Sequence, residues 1–227
     1  MRPLPFQHAT HGRLMEITLQ NILSLLNLAE RLKSVMRHSW LSSGRQESVA
    51  EHSWRLALMV ILLAPHSQQK INVEKALQMA IIHDLVEAIT GDIPIFESQE
   101  PARKQQKIIA EQQAIAEIKN ILNNSLGDDL YMLWQEYEDK TSIEAKFVNA
   151  LDKIEAQLQH NEADLSTWLE QEKLMLFQHH WIDRHCEFDE TICLLNSLVK
   201  QQSIAKLTKH GENIESLRVE AKASISD

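Results

Sequence analysis

Ala80-Ile-Ile-His-Asp-Leu-Val-Glu-Ala-Ile-Thr-Gly-Asp-Ile-Pro94 closes a segment in which Leu77, Ile81, Ile82, Leu85, Val86 and Ile89 recur at helical spacing. The spacing predicts one largely buried helix from Val73 to Thr90, stopped by Gly91 and then Pro94. On a regular helix His83, Asp84 and Glu87 share an arc of about 100 degrees. Asp92 follows just past the predicted end. Ionisable groups in an apolar setting are costly unless paired or bound to a metal, so this cluster asks for partners elsewhere in the chain.

The surrounding sequence predicts an all-α fold. In 227 residues there are only five Gly and five Pro, and Leu, Ala, Ile, Gln, Glu and Lys dominate long runs. Net charge is −9, with Lys and Arg scattered rather than striped, which argues against a nucleic-acid duplex as partner. Cys186 and Cys193 are seven residues apart, roughly 10 Å along a helix, too far for a disulfide. Free thiols fit a reducing, cytoplasmic setting. No apolar run reaches membrane-spanning length and no signal-peptide core opens the chain, so no membrane partner is expected.

Residues 1–13 read as an extended, flexible leader, followed by an amphipathic helix from Ile17 to about Arg37. A cation at a helix C-terminus is the ordinary arrangement, so Arg37 reads first as a dipole partner. A polar loop, His38 to Gln46, comes next. Ser48-Val-Ala-Glu51 is a capping box that opens a helix with His52, Leu56, Met59 and Leu63 on one face. His52 therefore points inward, as a satisfied core residue or as a ligand. After a polar connection at Glu97–Arg103, helices are predicted to about Leu122, around Trp134, and from Ser142 to His160. In the last of these Asp152 shares a small, apolar side with Ala145, Val148 and Ala156, either as an interior anchor or as a ligand. Beyond Asn161 two or three helices read as an outer layer, with His179, His180 and His185 as surface residues.

Two imidazoles and two carboxylates on three helices form a mixed N/O set suited to a divalent first-row ion. The order His52 … His83-Asp84 … Asp152 resembles the H…HD…D signature of the HD-domain metal-dependent phosphohydrolases. Glu47-Ser-Val-Ala-Glu-His52, His83-Asp-Leu-Val-Glu-Ala-Ile-Thr-Gly-Asp-Ile-Pro94 and Glu144-Ala-Lys-Phe-Val-Asn-Ala-Leu-Asp152 resemble the subfamily of 5′-deoxynucleotidases. That resemblance spans residues 14–160. It implies a helical HD bundle there and says little about residues 161–227, which the apolar spacing predicts as additional helices packed on that core.

The resemblance further implies that His52, His83, Asp84 and Asp152 hold one divalent ion (Mn, Co, Mg, Zn, Fe or Ni). It gives Glu87 the attacking water, Asp92 the leaving oxygen and Arg37 the phosphate. His38 stands where the bacterial enzymes have a sugar-packing Trp, and Trp40, two residues on, is the expected substitute as a substrate-binding residue. The implied activity is hydrolysis of (deoxy)ribonucleoside 5′-monophosphates by a homodimer. Its rivals are an HD phosphohydrolase acting on another nucleotide or phosphoester, and a catalytically silent metal-binding helical module. No convergence of Lys and Arg marking a polyphosphate pocket is visible in the sequence.

Overall fold

A computed structural model describes residues 5–94 and 100–224. Residues 1–4 of the expected leader, residues 97–99 of the expected polar connection and the last three residues lie outside them. The fold is all-α, with one small ribbon.

Helix α1 (Pro5–Ala29) starts well before Ile17, so residues 5–13 are helix where an extended leader is expected. It also ends earlier than predicted. A 3₁₀ turn, Glu30–Lys33, leads into strand β1 (Met36–Trp40), which pairs antiparallel with β2 (Gln46–Ser48). The expected polar loop is thus a hairpin: Leu41 N–H donates to Arg45 O, and Gly44 turns the chain at φ +83°. Arg37 consequently sits on a strand, which removes its role as a helix-dipole partner.

Helix α2 (Val49–Leu63) begins at the predicted residue. Glu51 N–H donates to Ser48 Oγ, Ser48 N–H donates to Glu51 Oε2, and Arg45 grips the same carboxylate. The predicted central helix is two helices. Helix α3 (Val73–Ile82) stops at His83, and α4 (Glu87–Thr90) resumes after a tight turn. Through the turn the bonds shorten to three-residue steps, Leu85 N–H to Ile82 O and Glu87 N–H to Asp84 O. Ile81, expected inside, is 54% exposed, and Ala76, Met79 and Ala80 take the buried face.

Helices α5 (Pro101–Leu122), α6 (Ser125–Asp139) and α7 (Ile143–Glu162) complete the bundle. Then come α8 (Glu170–Met175), α9 (Asp183–Cys186), α10 (Glu190–Lys209) and α11 (Ile214–Ala223). Cys186 and Cys193 are both free and lie on different helices.

Helix α7 is the axis of the main core. Phe147, Val148, Leu151 and Ile154 are fully buried against Leu56 and Val60 of α2, Met79 of α3 and Ile192 of α10. Each such large side chain contributes about 1.5–3 kcal/mol by leaving water. A second cluster joins Leu32, Val49, Ile82, Leu85 and Val86 to α5 and to Trp134 of α6. A third, separate cluster gathers Leu165, Trp168, Leu176, Leu207 and Leu217. The first two clusters flank the α3–α4 turn and fix it against the first turn of α2 and the middle of α7.

Candidate metal centre and cleft

His52, His83 and Asp84 bring ligand atoms within 4.8 Å of one another. Asp152 joins them: its Oδ1 lies 3.1 Å from His52 Nε2 and 3.9 Å from His83 Nε2. Each of the four owes its position to a local device. The capping box sets the start of α2 and so the depth of His52. Ala145 and Ala150 of α7 are fully buried in the core that joins α7 to α2 and α3 around Asp152. The α3–α4 turn presents His83 and Asp84, and its loosened backbone is satisfied from outside, because Trp134 Nε1–H donates to His83 O at 3.1 Å.

Both imidazoles are oriented from behind. His83 Nδ1–H donates to Ala80 O at 3.0 Å, since a carbonyl can only accept. His52 Nδ1–H donates to the Glu155 carboxylate, which is fully buried and also accepts from Arg55 Nε at 2.6 Å. This turns the two Nε2 atoms toward each other and toward the aspartates. Both are buried and neither makes an aligned hydrogen bond, although Asp84 Oδ2 is 3.0 Å from His83 Nε2. Two orphaned ring nitrogens facing two carboxylates fit a divalent first-row ion.

The electrostatics agree. Burial opposes ionisation of Asp84, but His83 and then His52 hold it down at about 2. Burial likewise opposes ionisation of Asp152, and His52, with His83, holds it below the usual range. His52 is raised to about 10 against burial and Arg37, by Glu155 and Asp152. The carboxylates that hold a proton on His52 are therefore the same ones that would draw a cation in its place.

A cleft of about 320 Å³ opens beside this cluster, lined by Arg37, Glu87, Asp92 and Asp152 among others. Arg37 NH1 lies 3.6 Å from Asp84 Oδ2, and its Nε lies 3.4 Å from the buried Glu47. Three-residue steps eclipse Asp84 and Glu87 on one side of the turn. Glu87 Oε2 is buried without a hydrogen-bond partner. Burial, then the neighbouring Asp84 and Asp92, push this carboxyl up to about 10. Burial also raises Asp92, against the opposing charge of Arg37. Gly91 turns the chain between them at φ +74° and ψ 162°, a conformation essentially reserved for glycine.

Trp40 does not reach the cleft. Its backbone carbonyl accepts from Gln159 Nε2 at 2.6 Å, its ring packs edge-on against His38, and His38 lines the cleft instead. The aromatic wall comes from the chain beyond the bundle, through Trp168 and Trp181, together with Glu172 and Met175 of that segment. These terminal helices are therefore more than an outer layer. Cations also converge where the sequence shows no such pattern, since Lys107 and Lys153 line the cleft with Arg37. The sequence reading missed Glu155 and Glu47 too. Glu155 offered the signal of helical register, three residues after Asp152, and Glu47 that of opening the motif that runs to His52.

Comparison with known proteins follows this geometry. A family model described as an HD domain matches residues 29–190. The human protein named 5′-deoxynucleotidase HDDC2 is 35% identical over 145 residues, covering 63% of this chain and 68% of that one. A Schizosaccharomyces pombe 5′-deoxynucleotidase is 35% identical over 141 residues, covering 60% and 68%. Among solved structures, a predicted metal-dependent phosphohydrolase from Magnetospirillum magnetotacticum MS-1 superposes with a TM-score of 0.68 at 25% identity, covering 84% of this chain and 97% of that one.

Proposed function

The chain belongs to the HD domain family, and on that footing we propose that it is a metal-dependent phosphomonoesterase releasing phosphate from (deoxy)ribonucleoside 5′-monophosphates. One observation carries the reading: the orphaned Nε2 atoms of His52 and His83 face Asp84 and Asp152 at the head of a cleft that also holds Arg37, Glu87 and Asp92. The relatives named 5′-deoxynucleotidase support the substrate class.

His52, His83, Asp84 and Asp152 would hold one divalent ion. When bound, such an ion supplies Lewis-acid polarisation of a phosphoryl oxygen and makes water acidic enough to attack at neutral pH. Arg37, permanently protonated and braced by Glu47, binds and orients the phosphate. Glu87 takes the proton of the attacking water as its oxygen bonds to phosphorus. Asp92 gives a proton to the departing 5′-oxygen as the P–O5′ bond breaks. Burial raises both carboxyls, with Asp84 adding to each; a divalent cation held at Asp84 would offset that charge and bring Glu87 down toward the range in which it accepts a proton, while Asp92 keeps a proton to give. A silent metal-binding module has no use for this second pair.

The convergence of Lys107 and Lys153 favours one further reading within the same chemistry, a nucleotide carrying a second phosphate. For setting and assembly we propose the cytoplasm, which the two free thiols suit, and a homodimer. The outward apolar stripe of Trp54, Leu58, Ile61 and Leu62 on α2 supports the dimer, and light scattering measures it.

The deciding experiment is phosphate release by metal-stripped protein from paired dNMP, NMP and nucleoside diphosphate substrates, with Mn, Co, Mg and Zn restored singly. Metal-dependent release from monophosphates is expected. Glu87→Ala should keep the ion and lose most turnover, whereas Asp84→Ala should lose both. Full turnover by Glu87→Ala would overturn the assignment of the water-activating group.

A further inference from the structure

The segment that carries Asp92 is thinly held. Gly91 turns the chain out of α4, and its N–H still donates to Glu87 O. For residues 92–94 one hydrogen bond exists among the described residues: Lys107 Nζ, reaching across from α5, donates to Ile93 O at 3.5 Å. Asp84 meanwhile acts on Asp92 as a like charge, which favours any motion that separates the two.

Lys107 has a rigid base from which to oppose that motion. It stands on the helix whose Ala114, Ile115 and Ile118 share a buried cluster with Val86 and Ala88, so α5 keeps a fixed relation to α4. One turn along α5, Glu111 Oε1 lies 3.6 Å from the ammonium and steadies it. The two side chains are only 28% and 16% exposed, and charges withdrawn from solvent are screened less than surface ones. An ammonium is a compact charge with three rotatable donors, so it can serve Ile93 O and Glu111 together. Glu87, Asp84 and Asp92 all act on this same cation as opposite charges.

Resting on the nucleotidase reading above, we propose that Lys107 is a positioning residue for the reaction. It ties the Gly91–Pro94 segment to α5 and so holds Asp92 at the departing 5′-oxygen. Lys107 transfers no proton itself, and its effect reaches the chemistry through Asp92.

The test is a double-mutant cycle on dTMP with the metal-loaded enzyme, using Lys107→Met, Asp92→Asn and the pair, read as phosphate release. Met keeps the apolar stem and removes the charge and the donors. Alone, Lys107→Met should lower kcat by about 10-fold or more, since a small misplacement of a reacting group can cost about 100-fold. KM, and Mn affinity measured by chelator competition, should stay within about twofold of wild type. In the Asp92→Asn background, with no acid left to position, the same change should cost less than about twofold, because residues acting as a unit are non-additive. Lys107→Arg, which restores charge and donors, should recover most of the loss. Additive losses, or a loss carried by KM, would make Lys107 a general support or a phosphate ligand and overturn the proposal. Full turnover by Asp92→Asn would overturn it too, by removing the acid that is positioned. Wild-type failure on every nucleoside monophosphate, with release from a simple aryl phosphate, would instead remove the nucleotidase reading and this inference with it.

Discussion

Replacing Glu155 with Gln tests how His52 is oriented. Glu155 has no exposed surface and serves two donors, His52 Nδ1–H and Arg55 Nε–H. A Gln oxygen can accept from one of them, while its amide N–H₂ confronts the other. His52 then loses the charge that fixes its tautomer, and the form with hydrogen on Nε2 cannot donate a lone pair to an ion. Partners of this kind are worth about 10–100-fold in metal affinity, or about 1.4–2.7 kcal/mol at 1.36 kcal/mol per decade. Arg55 retains Glu162 at 2.7 Å, so the stability loss is that of one charged hydrogen bond, about 1.5–3 kcal/mol. For a chain of this size that is a drop in melting temperature of about 3–12 °C. Chelator competition with Mn or Co, run well below the melting transition, separates affinity from stability. A folded Glu155→Gln protein that binds its ion as tightly as wild type would refute the claim that this carboxylate orients His52.

Gly91→Ala should cost about 1–3 kcal/mol from backbone conformation alone, since nothing lies within 4 Å of the added Cβ. It should lower kcat by displacing Asp92 while ion affinity, measured by the same competition, holds. Gly127→Ala should do the reverse: its Cβ would meet Lys119 O at 2.7 Å where α5 and α6 cross, costing about 1–3 kcal/mol in a thermal melt with the metal centre unaffected. Glu51 is held at about 2, chiefly by Arg45. Its stabilising effect is therefore full above the ordinary carboxylate pKa of 4.5 and lost as pH falls through about 2. Melting curves of wild type and Glu51→Gln should accordingly converge across that range.

The helices and the clustering of His52, His83, Asp84 and Asp152 were legible because both rest on repeated, local signals: apolar spacing, a capping box and inward polar residues. The break at His83 was not legible. Leu85, Val86 and Ile89 keep an apolar pattern that a regular helix and a tightened turn satisfy equally, and only Trp134, 51 positions away, takes up the freed carbonyl. The ribbon was hidden for a related reason. Met36 to Trp40 has no alternation of polar and apolar residues, and its pairing depends on Gly44 and on contact with α7. Trp40 matched an expected chemical type at nearly the expected position, yet a strand directs it behind His38. The aromatic wall arises from packing between distant helices, which spacing cannot reveal.

The third apolar cluster has an evolutionary consequence. The residues facing the ion stand on the main core around α7, whereas Trp168 and the wall near Glu172 rest on Leu165, Leu176, Leu207 and Leu217. Substitutions among those leucines can loosen or reshape the grip on the nucleoside while the hydrolytic machinery keeps its own foundation. Descendants of such a chain can change what they cut without relearning how to cut.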